Sequence, residues 1–133
     1  MWWVSSLDQT LYQGACRQGD QAATDEQVQA WLASLVTLDI VQGECQRRID
    51  LAVNLNQKLN LLGTMQATTL DVLLLGQTAT DEQKADAGLF IQSMQWITAM
   101  KAACAGLVGN VTYDQDVSWP ALSAELVAFG ARF

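Results

Sequence analysis

TDEQVQAWLASLVTLDIVQGECQRRIDLAVNLNQKLNLL, from Thr24 to Leu62, sets the architecture expected of this chain. It opens on Thr24-Asp25-Glu26-Gln27. This is a capping box, in which the threonine hydroxyl accepts from a free backbone N–H and the glutamine side chain reaches back to the cap. Asp25 and Glu26 place negative charge where the helix dipole favours it. Apolar residues then recur at Val28, Trp31, Leu35, Leu38, Cys45, Ile49, Ala52, Leu55, Leu59 and Leu62, in steps of three and four broken by one longer step across Gln42. That spacing draws a single stripe along a helix. Gly63 follows at once, the residue best suited to a left-handed stop. An unbroken helix over this stretch would be about 58 Å long, and the chain is expected to be elongated. Gly43 and the β-branched Thr37, Ile40 and Val41 make 39–44 the place for a kink or a break, and a continuous or merely kinked helix is expected. Ile40, Val41, Leu51 and Leu61 lie off the stripe, so this helix needs cover on more than one side.

The remaining segments arrange themselves around this spine. Ser5 or Ser6 caps a short first helix carrying Leu7, Leu11 and Ala15 and closed by Gly19-Asp20. Met65 to Leu75 reads as another short helix, ending at Gly76, with Val72-Leu73-Leu74-Leu75 apolar all round and expected to be a buried plug. Thr80-Asp81-Glu82-Gln83 repeats the capping box of Thr24, and the likeness fades beyond it, so the sequence uses one cap twice and is not a duplicated repeat. It starts a second long helix from Asp81 to about Val108, stopped by Gly109-Asn110. After a loop containing Asp114 and Asp116, Ser118-Trp119-Pro120 is read as the start of a last helix with Leu122, Leu126 and Phe129 on its apolar face. The expectation is a single all-α domain over 1–133: an elongated helical bundle built on two long antiparallel helices, with shorter helices at the ends.

Composition narrows the function classes. The net charge is −7, the seven Lys and Arg are scattered, and no basic face exists to neutralise phosphates, so nucleic acid is not an expected partner. Fifteen glutamines supply polarity without strong charge fields. The three cysteines, Cys16, Cys45 and Cys104, are odd in number and form no CxxC pair; with no histidine present, neither a disulfide framework nor a metal site is expected. The N-terminal MWWV lacks the pattern of a signal peptide, and no apolar run approaches the ~20 residues of a membrane span, so a soluble chain is expected. Nucleophilic catalysis has no histidine base to draw on, and the acidic pairs Asp25-Glu26 and Asp81-Glu82 are accounted for by helix N-termini. Asp114-x-Asp116 is a weak cation signal that turn residues mimic. No catalytic residues, cofactor or metal are predicted.

The aromatic residues carry more information. Trp2, Trp3 and Val4 at one end, and Trp119, Pro120, Phe129 and Phe133 near the other, lie where a small bundle has least capacity to bury them. Either they dock onto a protein partner, for which tryptophan is favoured, or both ends fold back over the bundle. They are the candidate interface residues.

The C-terminal third, from Phe90 to Phe129, resembles tail and tail-fibre assembly proteins of tailed bacteriophages. In those proteins a helix with an aromatic residue and a basic step leads through an acidic loop into a Trp-Pro pair, matched here by Trp96, Met100-Lys101, Asp114, Asp116 and Trp119-Pro120. The loop prolines of that pattern are missing, Lys101 stands where arginine is usual, and nothing before Gly76 matches. The resemblance implies a virion structural or adaptor protein of the tail, baseplate or fibre attachment, made in the host cytoplasm and holding other tail subunits or further copies of itself. It equally allows a tail-fibre assembly chaperone. A cytosolic helical regulator is the third reading.

Overall fold

A computed structural model describes all of residues 1–133. The chain is mostly helical but not all-α. Three short strands, β1 (Trp2–Val4), β2 (Leu11–Gln13) and β3 (Gln21–Ala22), precede the helices α1 (Asp25–Ser34), α2 (Leu38–Ala52), α3 (Leu55–Leu73), α4 (Asp81–Leu107) and α5 (Ala124–Gly130).

The strands form an antiparallel sheet in the order β2-β1-β3, with Trp3 opposite both Tyr12 and Ala22. They replace the helix expected to begin at Ser5 or Ser6. Gln9, Gly14 and Gly19 all have positive φ, at 59°, 130° and 91°, and no helix runs through such residues. Asp8 closes the first turn by accepting from the backbone N–H and hydroxyl of Thr10. Asp20 ties the sheet together, accepting from the Ser6 N–H and hydroxyl and from the Tyr12 hydroxyl. The sheet seats on α1 through Trp2, whose ring lies 4.8 Å from that of Trp31.

The expected spine from Thr24 to Leu62 is three helices, broken at Leu35–Thr37 and Val53–Asn54, and not at Gly43, which sits uninterrupted within α2. Each break is capped. The Thr37 hydroxyl accepts from Ile40 N–H, and Asn54 makes a full capping box with Gln57 at 3.0 Å in both directions. The first break also has a tertiary tie, since the Val36 carbonyl accepts from Gly109 N–H just past the end of α4. Gly63 lies within α3, and the stop falls instead at Gly76, with φ of 64°. The boxes at Thr24 and Thr80 form as expected, and α4 has nearly the expected extent.

The core lies between the antiparallel pair α2 and α4. Val41, Cys45 and Ile49 of α2, spaced by four, meet Met100, Cys104 and Leu107, with Val36 and Trp119 closing the cluster. Of the residues off the expected stripe, Val41 and Leu61 are buried, while Ile40 and Leu51 face solvent. The last helix starts four residues later than expected. Trp119, preceding Pro120, is held extended (φ −115°, ψ 153°), and Ser123 provides the cap of α5.

Candidate functional site

Leu55 to Leu73 forms a helix of about 28 Å along which no other element packs closely. One stripe, Leu61, Met65, Thr68 and Val72, turns inward, and only Leu61 is fully buried. A second stripe, Leu55, Leu59, Leu62, Leu70 and Leu73, is exposed, Leu55 to 69% and Leu73 to 75%. Leu74 and Leu75 extend it, so the expected buried plug at 72–75 is largely an exposed apolar end, with only Val72 partly covered. A helix in water normally exposes its polar side; here both stripes are apolar.

Beside α3 lies an apolar cavity of about 220 Å³, enclosed by the end of α2, the first turns of α3, the middle of α4 and α5. Ile49, Leu61, Phe90, Ile97, Leu126 and Phe129 form much of its wall. Lys58 is its one charged lining residue, and its ammonium is engaged with Asp50 at 2.6 Å, which holds the Asp50 carboxyl below its ordinary pKa. Ser93, also on the wall, satisfies its hydroxyl on the Leu89 carbonyl. The cavity adjoins a shallow groove between α3 and α4 lined by Met65, Leu70 and Phe90, with Leu62 and Phe90 common to both. The exposed Ile91 and Met94 of α4 prolong this apolar face.

The molecule as a whole also exposes more surface than its mass predicts. A folded monomer of this mass is expected to expose about 6,900 Å², and this chain exposes 8880 Å². The excess, about 2,000 Å², is accompanied by a core of few fully buried side chains.

The seven residues expected to contact a partner are placed as follows. Trp2 stacks on Trp31, and Trp3 donates its indole N–H to the Gly14 carbonyl at 3.0 Å, both half-buried with Val4 in the sheet. Trp119 is buried, donates to the Tyr113 carbonyl at 2.6 Å, and lies under the Arg48 guanidinium. The Pro120 carbonyl accepts from the Trp96 indole. Phe129 is buried on α5, and Phe133 packs edge-on against it at 5.4 Å. These aromatic residues thus fold back onto the chain and lie on two separate surfaces, the sheet and the α4–α5 end. Only Phe129 lines the cavity.

Two polar anchors organise the surroundings. Arg48 bonds Glu44 at 2.7 Å, the Asp116 carboxylate at 2.7 Å and the Asp114 carbonyl at 2.6 Å, so the acidic loop is tied to α2. Arg132 clamps the buried Asp86 through both carboxylate oxygens, at 2.7 and 3.0 Å, and joins the C-terminus to α4. Of these contacts only Glu44–Arg48, four residues apart on α2, is local in sequence. The others join residues 68 and 46 positions apart, with no local signal.

What the cavity and the exposed stripe of α3 offer is apolar contact. No group of three His, Cys, Asp or Glu side chains converges to hold a metal ion. Burial beside Cys104 pushes the Cys45 thiol up to about 11, so it carries no thiolate near neutrality. No helix is long and apolar enough to cross a membrane. Compared with family models, with curated proteins and with solved structures, the chain matches none of them.

Proposed function

We propose that this chain is a non-enzymatic structural or adaptor subunit of a larger protein assembly, docking through the apolar face formed by α3 and the α3–α4 groove. The observation that carries this reading is the unpartnered leucine stripe of α3 beside a preformed apolar cavity. Large exposed apolar faces are uncommon on monomers and mark interaction sites, and a cavity among leucines and phenylalanines suits an aliphatic or aromatic anchor from a partner. The aromatic residues at the chain ends, tied into the fold, serve in this reading mainly to hold the sheet and the α4–α5 end. The resemblance of Phe90–Phe129 to phage tail and tail-fibre assembly proteins makes a tailed-phage virion the first assembly to test, with synthesis in the host cytoplasm.

The flexible Met65 and Met94 at the groove favour a second reading, a tail-fibre assembly chaperone, because methionine adapts to changing partners. Mass spectrometry of purified particles separates the two. A structural subunit is present at fixed copy number, whereas a chaperone is absent from particles and found with free fibre subunits. Absence from both fractions overturns the proposal.

A further inference from the structure

The exposed stripe of α3 has a finer order. Leu55, Leu59, Leu62, Gln66, Thr69 and Leu73 recur in alternating steps of four and three, and all six are exposed. A period of 3.5 is the seam of a coiled coil and not merely one side of a solvated helix. The inward stripe lies roughly a third of the way round the helix from it, so the seam is free while α3 keeps its own attachments.

The spacing of this seam is the same read in either direction, so it can lie in register on its own reverse. When two copies lie antiparallel with a two-fold axis at the level of Thr64, Leu55 faces Leu73, Leu59 faces Thr69, and Leu62 faces Gln66, and each pair occurs twice. Leu70 flanks the Leu59 contact. Gly63 lies beside the seam at the crossing level and faces open space. Leu74 and Leu75 of each copy come level with Asn54 and Val53 of the other, and Val53 is on the cavity wall.

Charge points the same way. The chain carries −7 overall, yet α3 contains only Lys58 and Asp71. Lys58 is paired with Asp50, and Asp71 lies well away from the seam on the helix circumference. A second copy therefore meets an uncharged face on an otherwise acidic molecule. A stable dimer needs about 800 Å² from each partner, so the seam has to be joined by the exposed Leu70, Leu74 and Leu75 beside it.

We infer that α3 pairs with α3 of a second copy as an antiparallel, two-fold dimer. The inference rests on the reading of α3 as a docking face and names the occupant of its seam. Sedimentation of the full chain alone at micromolar concentration is expected to give twice the 14.5 kDa chain mass. Leu59→Glu is expected to weaken the dimer about tenfold or more with an unchanged far-ultraviolet circular dichroism spectrum. In a Cys16→Ser background, Leu59→Cys mixed with Thr69→Cys is expected to give a disulfide-linked pair when dissolved oxygen, with a copper catalyst, takes up the two electrons. Leu59→Cys alone is not, because its two copies stand about 15 Å apart along the axis.

A chain that stays monomeric at about 100 µM overturns the dimer. So does a dimer indifferent to Leu59→Glu, and a Leu59–Leu59 cross-link overturns the antiparallel register. If the monomeric chain still enters particles and Leu59→Glu prevents it, the docking face stands and its occupant is a different protein.

Discussion

Helices α2 and α3 follow one another with only Val53 and Asn54 between them, yet they live in different environments. The apolar residues of α2 that matter, Val41, Cys45 and Ile49, are spaced by four and sink against α4, where Met100 is 1% exposed. Those of α3 are as numerous and as regular, and most of them face water. Apolar spacing dictates that a helix forms with a sticky side, but not what covers that side. The covered helix builds the fold, and the uncovered one is the face proposed for association.

That contrast can be broken most forcefully in the core. Trp119→Ala is expected to cost about 3–5 kcal/mol, because it empties a buried site and releases both Arg48 and the Tyr113 carbonyl. Chemical denaturation reads this directly, and a loss below about 1 kcal/mol would mean that the α2–α4 core does not depend on the loop above it. Arg132→Ala leaves the Asp86 carboxylate buried without its partner, with an expected cost of about 1–2 kcal/mol after allowing for the half-exposed arginine. The loss should appear as a lower thermal midpoint together with loosening of α5.

Smaller effects sharpen the comparison. Asn54→Ala removes the cap that separates the two helices, at about 1 kcal/mol, and exchange of the first amides of α3 should accelerate while those of α4 do not. The Tyr12 hydroxyl and the Ser6 N–H hold the Asp20 carboxyl below its ordinary value of 3.8. Its stabilisation of the sheet is therefore present above that value and lost as pH falls below it. Acid should release the Trp2–Trp31 contact, seen as a fluorescence change, before it melts α2 and α4, and Asp20→Asn should abolish that pH step. Smallest of all, Leu73→Gln should change the stability of the isolated chain by less than about 0.5 kcal/mol. A comparable change at Met100 removes core contacts and cannot be silent.

Much of the helical content was legible. The caps at Thr24 and Thr80 and the whole of α4 follow from local rules, since capping and spacing are properties of neighbouring residues. The breaks at Thr37 and Asn54 were hidden because apolar spacing runs through them, although Asn54-x-x-Gln57 is itself a capping signature that could have marked the second. The sheet had no such warning: its strands are two or three residues long, and it depends on Gln9 taking a conformation rare outside glycine. Which stripe would be covered was equally invisible, because Leu55 and Ile49 look alike in sequence and differ only in what lies opposite. The surplus of apolar residues beyond one partner's capacity is apparent in the sequence, but not which of them stay uncovered.

Hydrogen exchange of the amides of α3, measured on the isolated chain at high dilution and again in its assembled form, tests the central claim most directly. The account predicts that residues 55–73 exchange rapidly in the dilute chain and become protected on assembly, while Val41–Ile49 and Met100–Leu107 are protected in both. Protection of α3 that is already core-like in the dilute monomer, or that does not change on assembly, would contradict it.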